Sequence, residues 1–534
     1  MTVTAGDFRE HMLARGGFEP DVGGLVRYRT EADTLDGLFE LRCAERPDAA
    51  LYADADVGAW HTRAACATRV ERIASGLVAR GLEPGDRVAM VAANRVDVVL
   101  TMLATVRAGG IAVPVNHRLA APEIAQIIED ADPKVVVTEA AYADGVDASR
   151  MLVGFGEGAT DPGELTELEA EPALQPSRHG RNDPVFLIYT SGTTGVPKGA
   201  VLTHDNVLQN IQGFWRALGT TGEEVALVAS PLFHVTGLMA QVGHMLQASG
   251  RCVLQQRFSP SGFLDAAEHF QATYTCAVPS IFRMLLNQTG VERRRMDHFR
   301  TALFGGSAMP PDTLRELDRV WPQLRLVNTY GATESSGSCT FLPAEMALSH
   351  PLSVGYVVPH AAVRIVDADG HEVDDGVDGE VVISGPTLTQ GYWRMSDAPD
   401  FRWGGWASGD IAVRHPDGLL ELLDRKKDLI NRGGEKIFSI ELENVLHGHP
   451  DVREAGVTAI DDDVLLEEVL AVVVPRAGAR LDEDMIRSHV AAHLASYKVP
   501  RYVIVTDELP KGGTGKVDKH ALAVLFRRHA RRSS

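Results

Sequence analysis

The stretch YTSGTTGVPKGAVLTH, residues 189–204, decides the fold of this chain. The apolar run VFLIY (185–189) leads into it and predicts a buried strand. The polar run THDN (203–206) at its far end supplies cap candidates for a helix that should continue to Leu218. Glycines in the turn let the backbone approach a phosphate, and successive N–H groups can form an anion-binding nest. Strand, turn and helix therefore predict a phosphate-binding loop.

This loop differs from the Walker A pattern, which needs four residues between its first glycine and a Gly-Lys pair, followed by Ser or Thr. Here Lys198 is followed by Gly199. A second glycine-rich segment, GGTGK (512–516), also departs from that pattern because Val517 follows its lysine. The loop offers backbone N–H groups, hydroxyl donors and one positive charge. The predicted phosphate-binding residues are Thr190, Ser191, Gly192, Thr193, Thr194 and Lys198.

On both sides of this loop, apolar runs alternate with amphipathic stretches. EVALVAS, TYTCAV, TALFG and LRLVN predict strands, and PPDTLRELDRVW predicts a helix with proline near its start. Earlier in the chain, RAACATRVERIASGLVARG predicts a helix and RVAMVAA a strand. Alternation of this kind predicts a largely parallel sheet that is covered by helices on both faces.

The pattern changes after the last of these strands. Short β-like runs with Gly-Asp turns predict a small β subdomain over about 355–426. The sequence that follows predicts a mixed α+β unit. Between them, the segment DRKKDLINRGGEK (424–436) has the charged, glycine-containing composition of a domain boundary. We therefore predict a large N-terminal domain over 1–426 and a small C-terminal domain over 427–534.

The composition narrows the function classes. A formal net charge of −20 makes nucleic acid an unfavourable partner, because an acidic chain repels phosphate backbones. The five cysteines are scattered and lack CxxC spacing, so we expect neither a disulfide framework nor a zinc site. Asp7, Arg9 and Glu10 stand where a signal peptide needs an apolar run, and charges interrupt the apolar stretch 96–116. We expect a cytoplasmic chain with no membrane span.

Seven segments in order resemble the adenylate-forming (ANL) superfamily, which contains acyl-CoA synthetases, peptide-synthetase adenylation domains and beetle luciferases. The resemblance implies an α/β fold, with stacked parallel-rich sheets and helices in the large domain and a small, mobile α+β C-terminal domain. It also implies ATP, Mg²⁺ and coenzyme A as ligands. The segments are the loop at 189–204, PLFHVTG (231–237), FGGSAM (304–309), NTYGATE (328–334), WASGD (406–410), LDRKKDLINRGGEKI (423–437) and LPKGGTGK (509–516).

The resemblance assigns the nucleotide site residue by residue. Tyr330 would offer a flat face to adenine, Asp410 would accept from the two ribose hydroxyls, and Arg425 would contact ribose or phosphate. Thr333 can donate to a phosphate, and Glu334 is a hard oxygen ligand suited to Mg²⁺. The remaining nucleotide-binding residues that the resemblance implies are Gly305, Gly306, Asn328 and Gly331.

Lys516 is the catalytic residue that the resemblance places in the C-terminal glycine-rich loop. Attack of a carboxylate on the α-phosphate of ATP brings two anions together. An ammonium that bridges them stabilises the transition state more than the separated reactants. The resemblance therefore implies a catalytic set of Lys516, Glu334, Thr333 and His234.

Acyl-CoA synthetases of this superfamily use one site twice, because the small domain rotates after adenylation and brings a thiol tunnel to the acyl-AMP. Rotation of this kind is a common gating device. The hinge position of the family falls on Lys427, and Gly433, Gly434 and Lys436 would line the thiol tunnel. Ser439 stands where proline is common in the family, which could loosen the start of the small domain.

The acyl pocket is expected beside PLFHVTG. Peptide-synthetase domains for α-amino acids usually carry an aspartate near the position of Phe233 and His234, and this chain has none there, which favours an acid without an α-amino group. Small side chains would permit a bulky or long apolar acid. The predicted pocket residues are His234, Thr236, Met239, Ala240 and Gly331.

Four functional interpretations remain open at this point. The leading one is an acyl-CoA ligase acting on a small-molecule carboxylic acid. Its close rival is a stand-alone adenylation enzyme that loads the phosphopantetheine thiol of an acyl carrier protein. A luciferase-like oxygenase shares the fold but has no specific support here. A non-catalytic nucleotide sensor should lack Lys516 or Glu334, and this chain has both.

Overall fold

The computed structural model describes residues 3–146, 151–154, 163–171, 179–191, 197–462, 464–512 and 517–533. Four of the predicted site residues, Gly192, Thr193, Thr194 and Lys516, lie outside these ranges. The roles predicted for them therefore remain predictions. No helix among the described residues has the length and apolarity needed to cross a bilayer.

The strands are short in the first 180 residues and longer in the C-terminal half, where three reach ten or eleven residues. In chain order they are β1 Phe18–Pro20, β2 Val26–Tyr28, β3 Ala50–Asp54, β4 Trp60–Thr62, β5 Arg87–Val91, β6 Ile111–Val115, β7 Val135–Thr138, β8 Met151–Gly154, β9 Gly163–Glu164, β10 Pro184–Ser191, β11 Pro197–Thr203, β12 Val225–Val228, β13 Arg251–Leu254, β14 Tyr274–Ala277, β15 Thr301–Gly305, β16 Arg325–Ala332, β17 Gly337–Leu342, β18 Ser353–Val357, β19 Ala362–Val366, β20 Gly379–Ser384, β21 Phe401–Arg402, β22 Gly405–Arg414, β23 Leu420–Arg425, β24 Ile430–Arg432, β25 Glu435–Ile437, β26 Val452–Asp462, β27 Leu466–Pro475 and β28 Tyr502–Val505.

Most helices connect consecutive strands, as expected for an α/β chain. In chain order they are α1 Ala5–Leu13, α2 Leu35–Glu45, α3 Arg63–Ala79, α4 Val96–Arg107, α5 Ala121–Ala131, α6 Leu165–Leu168, α7 His204–Leu218, α8 Val235–Gly237, α9 His244–Ala248, α10 Pro260–Phe270, α11 Pro279–Leu286, α12 Pro311–Val320, α13 Ser439–His447, α14 Glu483–His493 and α15 Lys519–Ser533. A π-helical turn, Leu238–Gly243, joins α8 to α9.

The first sheet holds the predicted phosphate-binding loop. Its order over the described residues is β11-β10-β6-β5-β7-β8-β9. β10 is the predicted buried strand, but a second strand, β11, follows the loop before the helix begins. The two pair antiparallel, with Thr190 opposite Lys198. The sequence prediction of a strand, a turn and then a helix missed β11, because GAVLT is too short for its period to separate it from a loop.

The helix after β11 begins where the sequence predicted. Thr203 and Asn206 form a capping box, in which the Thr203 hydroxyl accepts from the Asn206 N–H at 3.2 Å and the Asn206 side chain accepts from the Thr203 N–H at 3.0 Å. α7 ends at Leu218, and Gly219 after it has a φ of 68°, in the left-handed region that favours glycine. α7 is buried along most of its length, so it ties β11 to the centre of the large domain.

The second sheet runs through the large domain into the predicted β subdomain. Its described order is β19-β20-β22-β23-β18-β17-β16-β15-β14-β12-β13-β3-β4, with β21 paired to β22. Strands β12 to β16 are parallel, as predicted, and the strands from β17 onward are antiparallel. Although three strands separate β16 from β22 in this order, Tyr330 of NTYGATE and Asp410 of WASGD are hydrogen-bonded, so the two segments lie close together. Apolar side chains from both sheets and the intervening helices form the main core.

The small C-terminal domain has its own sheet and core. Its order is β25-β24-β27-β26, with β28 parallel to β27, and α13, α14 and α15 cover it. Two clusters of buried aliphatic side chains lie on its faces. A large N-terminal domain and a small C-terminal domain were both predicted, and both are confirmed. The five cysteines are all free and buried, as the absence of CxxC spacing indicated.

Candidate active site

A cleft of about 1020 Å³ lies between the two domains. It brings together predicted residues that are distant in sequence, and it is bordered by both ends of the C-terminal glycine-rich loop, Gly512 and Val517. Residues from both domains form its walls. The large domain and the hinge segment contribute Thr190, His234, Gly306, Arg425 and Lys427. The small domain contributes Glu443, Asp518 and Lys519.

Three of the predicted nucleotide-binding residues form one cluster beside this cleft. The Tyr330 hydroxyl donates to Asp410 Oδ2 at 2.7 Å, and Nε of Arg425 lies 3.0 Å from Asp410 Oδ1. Asp410 and Arg425 face each other on the paired strands β22 and β23. The Asp410 N–H donates to the Ser408 hydroxyl at 3.0 Å, and Gly409 between them has a φ of 73°. The carboxylate is therefore held at both of its oxygens, and the backbone that carries it is held by Ser408.

Glu334 is buried, and Tyr392, which contacts it, pairs with Ala200 of β11. Burial raises the pKa of its carboxyl, and a hydrogen bond of 2.8 Å from the Tyr392 hydroxyl partly opposes that rise. Trp406 in turn donates to the Tyr392 hydroxyl at 3.2 Å. A carboxylate oxygen is the ligand type that Mg²⁺ prefers, so Glu334 fits the metal role that the resemblance implies.

Lys198 points from β11 toward the same region. Its ammonium lies 2.6 Å from Asp400 Oδ2 and 5.0 Å from the ring centroid of Tyr392. The Thr190 hydroxyl on the opposite strand donates to the Lys198 carbonyl at 3.5 Å, and Thr190 lines the cleft. For Ser191 only the backbone, at the end of β10, is described.

Two glycines of the site are required by close packing of strands. A Cβ on Gly305 would lie 2.4 Å from the Thr329 carbonyl oxygen, and a Cβ on Gly331 would lie 1.9 Å from the Gly337 carbonyl oxygen. Both contacts are with backbone, which cannot move without disturbing the sheet. Gly331 was predicted to leave room for the acyl group; the strand contact supplies a second reason for glycine there.

The other predicted residues of NTYGATE and FGGSAM have different surroundings. The Asn328 amide donates to the Ser353 carbonyl at 2.8 Å, so this side chain ties β16 to the start of β18. Thr333 is buried, and its carbonyl accepts from the Ser336 N–H at 2.9 Å. Gly306 lies on the cleft wall with a φ of 77°.

The predicted acyl-pocket residues divide into two groups. His234 lines the cleft, and its ring lies 4.7 Å from that of Phe233, which packs edge-on to His117 at 5.4 Å. Thr236 is half-buried in α8, whereas Met239 and Ala240 are buried in the main core. The structure therefore places an aromatic cluster at the cleft, whereas Met239 and Ala240 lie in the core and do not line the cleft.

The predicted hinge and thiol-tunnel residues lie at the junction of the domains. Lys427 is exposed and lines the cleft between the end of β23 and the start of β24. Gly433 and Gly434 form the turn of the β24–β25 hairpin with φ values of 63° and 98°. Lys436 lies 3.8 Å from Asp378 of the large domain.

Several residues that surround the site were not predicted. Tyr392 contacts Glu334, Asp400 contacts Lys198, and Trp406 contacts the Tyr392 hydroxyl. Asp424 and Lys519 both contact the Ser439 hydroxyl at the domain junction. Tyr392, Asp400 and Lys519 lie outside the seven quoted segments. Trp406 lies in WASGD and Asp424 in LDRKKDLINRGGEKI, but their partners are distant in sequence, so these motifs carried no signal for the contacts.

Comparison with known proteins identifies two matching regions. The family described as AMP-binding enzyme matches residues 39–393, and the AMP-binding enzyme C-terminal domain matches residues 441–516. A feruloyl-CoA synthase from an Amycolatopsis species is 36% identical over 464 residues, which cover 86% of this chain and 92% of that protein. An indoleacetate–CoA ligase from Aromatoleum aromaticum is 32% identical over 470 residues, with the same coverage of 86% and 92%. A fatty acid–[acyl-carrier-protein] ligase, ScoC, from Streptomyces coeruleorubidus is 30% identical over 477 residues, covering 85% of this chain and 89% of that protein.

MatB from Rhodopseudomonas palustris has been solved in two states, with ATP and without ligand, and both structures resemble this chain. Both are 31% identical and cover 92% of this chain and 99% of MatB. The TM-score is 0.85 for the ATP-bound structure and 0.76 for the structure without ligand. The arrangement of this chain is therefore closer to that of the ATP-bound state.

Proposed function

The chain belongs to the AMP-binding enzyme family and is an ATP-dependent acid–thiol ligase, and from that premise we propose that its interdomain cleft activates an aromatic carboxylic acid. The ligase converts a carboxylic acid and ATP to an acyl-AMP with release of pyrophosphate. It then transfers the acyl group to coenzyme A with release of AMP.

We assign the nucleotide site chiefly from the contact between Arg425 and Asp410 at the cleft wall. Asp410 keeps a fixed carboxylate beside Tyr330, which suits acceptance from two ribose hydroxyls. Arg425 lines the cleft itself, so its guanidinium can reach ribose or phosphate. Gly306 on the cleft wall, and Gly305 before it, would let adenine and the acyl group lie against backbone.

Two cationic groups and one carboxylate are proposed to handle the phosphates. Glu334 would hold Mg²⁺, which supplies positive charge to the phosphate oxygens of ATP when bound. Lys198, Thr190 and Thr333 would bind the phosphates from the large domain. Lys516 would bridge the attacking carboxylate and the α-phosphate, because the transition state carries more charge there than the reactants do.

The aromatic cluster at the cleft supports an aryl acid as the substrate. Phe233 and His234 face the cleft, and His117 packs behind them. Burial and the charge of Arg118 lower the pKa of His117 to about 4, so its ring is neutral at pH 7. Neutral rings favour an aromatic or arylalkenoic acid. Feruloyl and indoleacetyl groups, carried by the products named for two relatives, belong to that class.

We further propose that the chain divides at Lys427, between a large domain over 1–426 and a lid over 427–534. The last strand of the large sheet ends at Arg425, and the first strand of the small sheet begins at Ile430. The intervening residues are exposed or half-buried. Rotation about this segment would bring Gly433, Gly434 and Lys436 toward the acyl-AMP as the thiol tunnel.

The acid is identified by a panel assay with the purified full chain. We expect acid-dependent exchange of labelled pyrophosphate into ATP with ferulate, indoleacetate or a related aryl acid, and slower exchange with oxalate and octanoate. Formation of the CoA thioester is then measured with the best acid. Exchange that is fastest with a small dicarboxylate or an unbranched fatty acid would rule out the aryl assignment.

Loading of a carrier protein is the second candidate function. A relative that matches 85% of this chain is named a fatty acid–[acyl-carrier-protein] ligase. Coenzyme A and the carrier present the same phosphopantetheine thiol, so both could use one tunnel. Thioester formation with free coenzyme A and with a holo-carrier protein at equal thiol concentration separates them. A higher kcat/KM for the carrier would favour this second function.

A further inference from the structure

A chain of buried polar contacts joins the large domain to the first helix of the small domain. Asp424 lies in β23 and is buried. Its Oδ2 accepts from the Ser439 hydroxyl at 2.7 Å and also from the Ser439 backbone N–H. Ser439 is the first residue of α13 and is wholly buried. The Asp424 carboxylate of the large domain therefore accepts two hydrogen bonds from the start of α13.

Lys519, the first residue of α15, extends this chain of contacts. Its ammonium donates to the Ser439 hydroxyl oxygen and lies 3.4 Å from Glu443 Oε1. Burial opposes a charge on this lysine, but the carboxylates of Glu443, Asp424 and Asp428 outweigh burial, so its pKa lies above that of an ordinary lysine. A charged ammonium thus stands near the buried Asp424 and the half-buried Glu443, and breaking such a group by removing one partner is costly.

Only part of this network can survive a rotation of the small domain. Asp424 precedes the proposed hinge at Lys427, whereas Ser439 and Lys519 follow it. Rotation would carry these two residues away from Asp424. The contacts of Lys519 with Ser439 and Glu443 would persist, because all three belong to the small domain. The bonds to Asp424 are therefore specific to the domain orientation of this structure.

This orientation matches the adenylation half-reaction in two respects. Gly512 and Val517, on either side of the loop ahead of α15, both border the cleft that contains Arg425. The overall arrangement is also closer to ATP-bound MatB than to MatB without ligand. Lys519 follows Val517 by two residues, so a contact that fixes Lys519 also fixes that border of the cleft.

We propose that Ser439 and Lys519 are positioning residues that hold the small domain, through Asp424, in its adenylation orientation. The inference rests on the proposed function for the meaning of that orientation. Proline, which the family pattern places at position 439, has neither the N–H nor the hydroxyl that Asp424 accepts here. The three-residue contact is therefore a feature of this chain's own sequence.

Ser439→Pro and Lys519→Met test the proposal with little disturbance of the fold. Proline suits the first position of a helix, and Phe438 before it is extended, with φ −82° and ψ 119°. Methionine keeps most of the apolar stem of Lys519 and removes its charge. Ser439→Thr keeps the hydroxyl and the N–H and serves as the conservative variant. Lys498→Met is the matched control, because Lys498 binds Glu441 of the same helix at 2.5 Å and makes no contact with Asp424.

The first measurement separates the two half-reactions. In Ser439→Pro and Lys519→Met we expect kcat for acid-dependent pyrophosphate exchange to fall roughly tenfold, as a shifted domain equilibrium predicts, with KM for ATP little changed. Thioester formation from supplied acyl-AMP should be unchanged or faster. Ser439→Thr and Lys498→Met should resemble the parent chain. Equal losses in both half-reactions, or no loss of exchange, would overturn the proposal.

The second measurement needs no substrate. Because all five native cysteines are buried, Arg293→Cys and Asp484→Cys can be spin-labelled selectively on the two domains. We expect the share of molecules at the interdomain distance of this structure to fall in Ser439→Pro and Lys519→Met. An unchanged distance distribution would overturn the positioning role. Acid-independent exchange of pyrophosphate into ATP by the parent chain would contradict the proposed function, whatever the distance distribution shows.

Discussion

The hydroxyl of Tyr330 donates a hydrogen bond of 2.7 Å to Asp410, which lies 80 positions later in the chain. The bond is buried, and it joins the central parallel part of the second sheet to its antiparallel end. Arg425 occupies the other oxygen of the same carboxylate. The nucleotide site is thus assembled across one continuous sheet, whose rigidity fixes the three groups relative to one another.

Asp410→Asn should weaken ATP use more than Tyr330→Phe does. The asparagine loses the charge that accepts from ribose and from Arg425, and a hydrogen bond to a charged group is worth about 1.5–3 kcal/mol, so KM for ATP should rise roughly 10–100-fold. Tyr330→Phe removes one positioning bond and should cost about 1 kcal/mol. Initial rates of pyrophosphate exchange against ATP concentration measure both. The exposed Asp374→Asn serves as the control, and a larger effect of Tyr330→Phe would contradict the ribose role.

Lys516→Ala should abolish acyl-AMP formation while largely sparing thioester formation from supplied acyl-AMP. The side chain is proposed to neutralise two anions as they join, and removing one such preorganised group typically slows a reaction by about 100-fold or more. Single-turnover assays of each half-reaction provide the measurement. Lys511→Ala, in the same segment, is the control and should change adenylation far less. Equal loss in both steps would refute the bridging role.

Lys427→Pro should spare adenylation and block transfer to coenzyme A. Proline fixes φ and restricts the residue before it, so it removes the torsional freedom on which domain rotation depends. Lys427→Ala keeps that freedom and should support both half-reactions. The measurement is a single-turnover thioester assay started from enzyme-bound acyl-AMP. A normal thiolation rate in the proline variant would show that the hinge lies elsewhere.

The pH below which the adenylation rate falls should lie above the usual titration range of a glutamate. Burial raises the pKa of Glu334, and only the ionised carboxylate can bind Mg²⁺, so activity should fall as pH drops through that raised value. The Tyr392 hydroxyl opposes the rise, and Tyr392→Phe should therefore move that pH still higher. The pH profile of pyrophosphate exchange measures both shifts, and a shift to lower pH in the variant would contradict the assignment.

Glu334→Gln supplies a control that does not depend on activity. A carboxyl whose pKa is raised on folding stabilises the native state at low pH, and this contribution is lost as pH rises through the raised pKa. Glutamine stays neutral, so the variant should gain more thermal stability relative to the parent chain at pH 8 than at pH 5. Thermal unfolding without ligands at the two pH values tests that sign.

Gly331→Ala should destabilise the large domain by roughly 1–3 kcal/mol, the usual cost of overpacking. Its Cβ would lie 1.9 Å from the Gly337 carbonyl oxygen, so β16 and β17 would have to move apart. Denaturant unfolding measures the change. Gly180→Ala is the control, because a Cβ there meets only a side chain at ordinary contact distance, 3.7 Å from Asp183. A fully stable Gly331→Ala variant with altered acid preference would instead favour the acyl-pocket role alone.

Segments with a strong local signal were predicted well. Buried strands such as β10 and β16 follow from apolar runs bounded by turns, and α7 follows from its capping residues Thr203 and Asn206. The roles predicted for Tyr330, Asp410 and Arg425 came from the family resemblance that the short motifs carry. The strand β11 was missed, because its pairing with β10 depends on a partner rather than on its own period.

By itself, the sequence determined the fold class, the order of the motifs and the residue types able to meet phosphate, ribose and a metal ion. These depend on local patterns and on glycines whose backbone freedom is intrinsic. Only the tertiary structure decided that Tyr392 holds Glu334 and that Lys519 contacts Ser439, 80 positions earlier, which in turn donates to Asp424. Such contacts join segments that sheet pairing and domain closure bring together, and no local pattern encodes the distance between them.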